Sequence, residues 1–145
     1  MDRITYDFLM DAYQKADMIP IHGVWFEKDK SGKYCGCGLT AICASTLDKP
    51  FVEAMNEDED YPDDEAFVLK MLQGTYSDSY ISGFIIGFDG WEYRSLDLIK
   101  QTSFWYKDTV KQIARTQEQI EDIENGLQDG YSIGRKIFYK EEEAI

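Results

Sequence analysis

All three cysteines of the chain lie in one stretch, Cys35-Gly36-Cys37-Gly38-Leu39-Thr40-Ala41-Ile42-Cys43, and the single histidine, His22, precedes it. Together His22, Cys35, Cys37 and Cys43 make a Cys₃His set, chemically suited to tetrahedral zinc. The spacing opposes that reading. A zinc knuckle places two to four residues between paired cysteines, and Cys35 and Cys37 are separated by Gly36 alone. Cys43 also falls on the apolar face of a helix with Leu39, Ile42 and Leu47. Plain reduced thiols are therefore expected, with no cofactor. Zinc or thiol chemistry on these residues is the alternative.

A cysteine just before a helix N-terminus can act as a nucleophile, because unpaired N–H groups and the helix dipole stabilise its thiolate. Cys35-Gly36 or Cys37-Gly38, followed by a small, apolar helix start, resembles papain-like peptidases in those few residues. In that family the histidine follows the cysteine, whereas His22 precedes both candidates. A longer resemblance is to a group of small bacterial and phage proteins. They pair a Cys-x-Leu-Thr-Ala helix start with a later Gly-Phe-x-x-Gly-Phe-Asp-Gly. Here these are Cys37-Gly38-Leu39-Thr40-Ala41 and Gly83-Phe84-Ile85-Ile86-Gly87-Phe88-Asp89-Gly90, so the similarity spans about residues 31–90. It implies a shared fold and no activity.

Carboxylates are abundant, yet other catalytic or ligand patterns do not form. Asp78, Asp89 and the run Glu57–Asp60 lack the sixth-position glycine and twelfth-position glutamate of a calcium loop. Gly36-Cys37-Gly38 lacks the rest of a phosphate-binding loop. The run from Glu57 to Glu65 holds seven acids in nine residues. Pro62 suits a first helical position, with Asp63, Asp64 and Glu65 in a first turn where the macrodipole favours anions. The rest, residues 57–61, is expected to be a solvated acidic loop, and residues 141–145 a solvated tail.

The 145 residues carry 28 Asp+Glu against 15 Lys+Arg, a formal charge of −13, with 8 Phe, 10 Tyr and 3 Trp. That aromatic content opposes global disorder, and the length fits a single domain over 1–145. The charge disfavours a broad surface for DNA, RNA or anionic lipid, which calls for clustered Lys and Arg. No apolar run approaches the roughly 20 residues that span a bilayer, and residues 1–7 lack the pattern of a secretory signal. A reducing cytoplasm is expected, given few cysteines and an odd number of them.

The function expected from this balance is that of a small acidic, non-catalytic protein-interaction module. Its sharpest version is a nucleic-acid mimic of the phage anti-defence type, inhibiting a basic nucleic-acid-handling protein. Carboxylates three or four residues apart on a helix lie about 5–6 Å from one another and can stand in for phosphates. The candidate partner-binding acids are Glu57, Asp58, Glu59, Asp60, Asp63, Asp64, Glu118, Glu121, Asp122 and Glu124.

The expected fold is mainly α, a bundle of about five or six helices with one short N-terminal β-hairpin. Apolar spacing predicts a helix over 5–18 stopped by Pro20, a hairpin about Asp29–Lys33, and helices over about 39–47 and from Pro62 to Gly74. Another follows from Tyr80 to Asp89, and Ser95 is expected to cap the next. A long helix is expected from about Ser103 to Asn125, interrupted at Asn125-Gly126, with a last helix over 128–141. In the long helix Val110, Ile113, Gln117 and Ile120 fall near a seven-residue repeat, with Lys111 and Arg115 beside them. Basic residues precede acidic ones there, which opposes the macrodipole; this order suits an intramolecular helix with a salt-laced outer face, and the alternative is an antiparallel copy in a homodimer, or another helix. Glycines four apart, Gly83/Gly87 and Gly126/Gly130/Gly134, lie on one helix face. The leading reading is that two glycine-faced helices pack together. Loops at Gly126 and Gly130 are the alternative.

Overall fold

The computed structural model describes residues 3–58 and 63–139. The chain is mainly helical, and eight helices and a three-stranded sheet stand among the described residues. That exceeds the expected five or six helices. The chain groups into two compact units, one of Tyr6–Gly74 and one from Thr75 onward together with the residues before Tyr6. No helix among the described residues is long and apolar enough to cross a membrane.

In the first unit, α1 (Tyr6–Ala16) buries Leu9, Ala12 and Tyr13. It ends earlier than expected, and Pro20 is not the cause. Asp17 takes the left-handed conformation (φ 53°), which ends the helical path. Pro20 instead belongs to β1 (Ile19–Pro20). The expected lone hairpin is a mixed sheet of order β1-β3-β2. Here β2 (Phe26–Lys28) runs antiparallel to β3 (Tyr34–Gly36), and β1 runs parallel to β3. The β2–β3 turn is held by Asp29, whose Oδ1 accepts from the Ser31 and Lys33 amides at 2.9 Å each. Gly32 supplies its positive φ of 88°.

Then come α2 (Gly38–Ser45), α3 (Phe51–Glu57) and α4 (Asp64–Leu72). The α3 helix was not expected. It starts directly after Pro50, its N-cap, and Phe51 is buried between the rings of Phe26 and Phe67, with centroids 4.8 and 5.5 Å away. Glu57 is therefore the last residue of a helix and not part of a loop. Asp63 is the N-cap of α4, its side chain accepting from the Ala66 amide at 2.7 Å. Pro62, Glu59 and Asp60, like the expected tail 141–145, lie outside the described residues.

The second unit contains α5 (Asp78–Asp89), α6 (Leu96–Thr102), α7 (Phe104–Ile113) and α8 (Gln117–Phe138). Ser77, Ser95, Ser103 and Thr116 cap them in turn, each side chain accepting the amide three residues on. The expected long helix over 103–125 is two helices, with the break at Ala114–Thr116. The interruption at Asn125-Gly126 does not occur. Thr116 and Gln119 form a reciprocal capping box that starts α8. α8 then runs through Gly126 because this glycine, with the others, is packed against a neighbouring helix.

That packing is the framework of the unit. α5 and α8 run in the same direction, backbone against backbone. A Cβ at Gly83 would fall under 3.0 Å from Ile123 O, one at Gly87 from Leu127 O, and ones at Gly126 and Gly130 from Tyr80 O and Phe84 O. Each glycine slots beside a turn of the other helix, and only hydrogens in place of side chains allow the approach. Beside it, Tyr80 is fully buried; its hydroxyl donates to Asp129 Oδ2 (2.6 Å) and accepts from the Ile4 amide (2.8 Å). Arg3 completes the knot with two bonds to Asp129 of 2.9 and 2.7 Å. Burial pushes the Tyr80 phenol far above its ordinary range, so it stays the proton donor.

Candidate functional site

The three thiols do not converge with His22. Cys35 is buried in the central strand β3, and Cys43 is buried in α2. Burial pushes the Cys43 thiol up to about 12, which makes it an inert core group. The Cys35 thiol is also pushed up, first by burial and then by the negative charge of Asp29 and Glu27. His22 lies half-buried just after β1. Among the described residues no three of His, Cys, Asp and Glu are placed to hold one metal ion. Geometry therefore does not assemble the Cys₃His set that composition allows.

Cys37 differs from the other two. It is only half-buried and is the N-cap residue of α2, its amide donating to Trp25 O at 3.2 Å. Its Sγ lies 3.4 Å from Thr40 Oγ1. The expected helix start is thus in place and the thiol stands at it.

The acidic candidates divide between the two units. In the first, Glu57 pairs with Lys49 and Asp58 with Lys70 (2.7 Å), while Asp63 caps α4 and Asp64 Oδ1 accepts from the Glu65 amide. Each of these four has an intramolecular role. In the second, Asp122 accepts from Ser77 Oγ at 2.8 Å and so fixes the cap of α5. Glu124 lies 3.3 Å from Lys100. Glu118 and Glu121 are exposed on consecutive turns of α8 and make no ion pair among the described residues. From Thr116 to Gly134 the chain has five acids and no Lys or Arg. The exposed face of the first half of α8 thus carries acids and no base of its own, with Lys100 of α6 set against Glu124.

The self-association set is dispersed. Val110, Lys111 and Ile113 lie on α7, Arg115 in the break, and Gln117 and Ile120 on α8. Arg115 is turned into the break itself: its amide donates to Gln119 Oε1 and its Nη1 to Lys111 O, both at 2.8 Å. A continuous seven-residue seam across these positions does not exist. What α7 does expose is aromatic: Phe104 is 79% and Trp105 47% accessible, which the apolar spacing had not distinguished from core.

Comparison of the chain with protein-family models, with curated proteins and with solved structures finds no match in any of the three.

Proposed function

We propose that this chain is a non-catalytic protein-interaction module that docks on a basic protein partner through the first half of α8. The observation that carries this reading is that Glu118 and Glu121 stand side by side, exposed and with no ion pair among the described residues, on a stretch that holds no cation for nineteen residues. Glu124 and Asp122 follow on the next turn but are engaged with Lys100 and Ser77, so Glu118 and Glu121 are the carboxylates left to a partner. The helix α5 packs on α8 from Ile123 to Gly134, and the turn just before that contact presents these carboxylates at fixed spacing, which lowers the ordering cost of association. In its sharpest form the partner is a nucleic-acid-handling protein, and the row of carboxylates replaces phosphates in its groove.

The acids of the α3–α4 region support this reading less, since each of those described is engaged within its own unit. A paired capture experiment tests the assignment. Wild-type chain and the Glu118→Lys/Glu121→Lys variant are used as baits against the same lysate, with bound proteins quantified. Both substitutions are on an exposed helix face, so folding is retained. The expected result is a nucleic-acid-handling protein with a basic groove, retained by wild type and lost from the variant. Equal retention of every protein by the two baits would remove α8 from the interface.

A further inference from the structure

A separate part of the second unit forms a cleft at the far end of the α5–α8 pair, where the chain leaves α5 and where α8 terminates. Trp91, Glu92, Arg94, Arg135 and Tyr139 line it, and it is open to solvent with a volume of about 580 Å³, within the range of small-molecule sites. Arg135 is positioned before any ligand arrives. Its Nη1 donates to the carbonyls of Trp91 (3.0 Å) and Tyr93 (3.1 Å). Its guanidinium lies 4.3 Å from the centroid of the Tyr139 ring and 5.5 Å from that of Tyr131. Tyr131 is itself tied down by its hydroxyl, which donates to Tyr93 O at 2.5 Å.

These contacts leave Nε and Nη2 of Arg135 outside the bonds to the two carbonyls. Arg94 on the same cleft is exposed and makes no ion pair or hydrogen bond among the described residues. In a chain of charge −13, two guanidinium groups on one cleft with no ion pair to a carboxylate among the described residues stand out. Guanidinium forks match carboxylate and phosphate oxygens, and their planes stack on rings. The aromatic wall is equally fixed, Trp91 resting against Phe138 with centroids 5.7 Å apart. Net charge does not forbid an anion here, because the Debye length is about 8 Å at physiological ionic strength and distant carboxylates are screened. Glu92 is the acid on the lining.

We infer that this cleft binds a small aromatic anion, a flat ring carrying a phosphate or a carboxylate directly or through a sugar. The ring lies against Trp91 and Tyr139, and the anionic group faces Arg94 and Arg135. This site is independent of the α8 docking face, since its residues come after Phe88 on one side and after Ile133 on the other.

Calorimetric titration of the full chain tests the inference with adenosine 5′-monophosphate as the phosphate source and indole-3-carboxylate as the carboxylate source. Adenosine and inorganic phosphate are the half-ligands of the first probe, indole and acetate those of the second. The expected result is binding of at least one of the two complete probes, at least about tenfold tighter than either half-ligand, and weakened about tenfold or more by Arg94→Gln. Which complete probe binds identifies the anionic group. Arg135→Lys should weaken it as well, and because Arg94 holds nothing else in place, Arg94→Gln decides the matter if Arg135→Lys fails to fold. No binding of either complete probe up to about 1 mM, or binding that Arg94→Gln leaves unchanged, would overturn the assignment.

Discussion

Cys35, Cys37 and Cys43 share a nine-residue stretch and almost nothing else. Their fates are set by burial, which sequence spacing reports poorly: one is on a central strand, one caps a helix and one is in a helix core. At pH 8, iodoacetamide should modify Cys37 in the native protein and leave Cys43 intact until denaturant is added, as read by peptide mass. The folded Cys43 thiol titrates near 12, above the unfolded value of about 8.5. Its contribution to stability is therefore complete below the unfolded value and is lost as pH rises toward the folded one. Melting temperature should accordingly fall between about pH 9 and 11, and less steeply in Cys43→Ala. Modification of native Cys43 as fast as Cys37 would show that the thiol is not in the core. The carboxylates tell a similar story at this scale. Asp122, Asp129 and Asp63 are indistinguishable from Glu118 in composition, yet each is committed to a hydroxyl, a guanidinium or a helix cap. The residues of the Arg94–Arg135 cleft carried no motif, because Trp91 and Arg135 are far apart in the chain. The one sequence signal was Tyr131, Arg135 and Tyr139, spaced four apart on a single face.

Helices were legible where side-chain period and capping agreed. The Ser95 cap, the helix ended by Gly90 and the glycine-faced pair follow from local rules, and the glycine spacing also foretold what the faces do. The expected long helix failed for an instructive reason. Read as one helix, residues 103–125 place bases before acids against the dipole. Read as two, α8 begins with Glu118 and ends with Arg135 and Lys136 and so obeys it, while α7 keeps Lys111 in its last turn. The apparent violation was the mark of a boundary, and Thr116-Gln117-Glu118-Gln119 was its capping box. Asn125-Gly126 misled because a glycine that admits a neighbouring backbone looks, in sequence, like one that ends a helix. The α5–α8 contact makes a direct prediction. Gly130→Ala should gain about 1 kcal/mol in helix propensity. The new methyl would nonetheless meet Phe84 O, and such overpacking costs about 1–3 kcal/mol or more. Net destabilisation in urea unfolding is expected, whereas the exposed control Ser132→Ala should be neutral or stabilising. A stabilised Gly130→Ala protein would mean that the two backbones are not in contact.

At the scale of the whole molecule, charge was legible in sum but not in arrangement. A formal charge of −13 excludes few surfaces until the contacts are drawn, and drawing them engages Glu57 and Asp58 in ion pairs and Asp63 and Asp64 with amides of α4. Of the acids outside ion pairs among the described residues, Glu118 and Glu121 stand together on α8, whose following turns the parallel glycine contact holds against α5. Binding through such a face has a thermodynamic signature that simple stickiness lacks, since association between opposite charges weakens as salt screens them. The most direct measurement is the dissociation constant of the captured partner across ionic strengths from about 0.05 to 0.3 M, for wild type and for Glu118→Lys/Glu121→Lys. A steep loss of affinity with salt in wild type, and a weak complex with a flatter slope in the variant, is the predicted result. A complex indifferent to salt, or equally tight in both proteins, would contradict the assignment of α8 as the docking face.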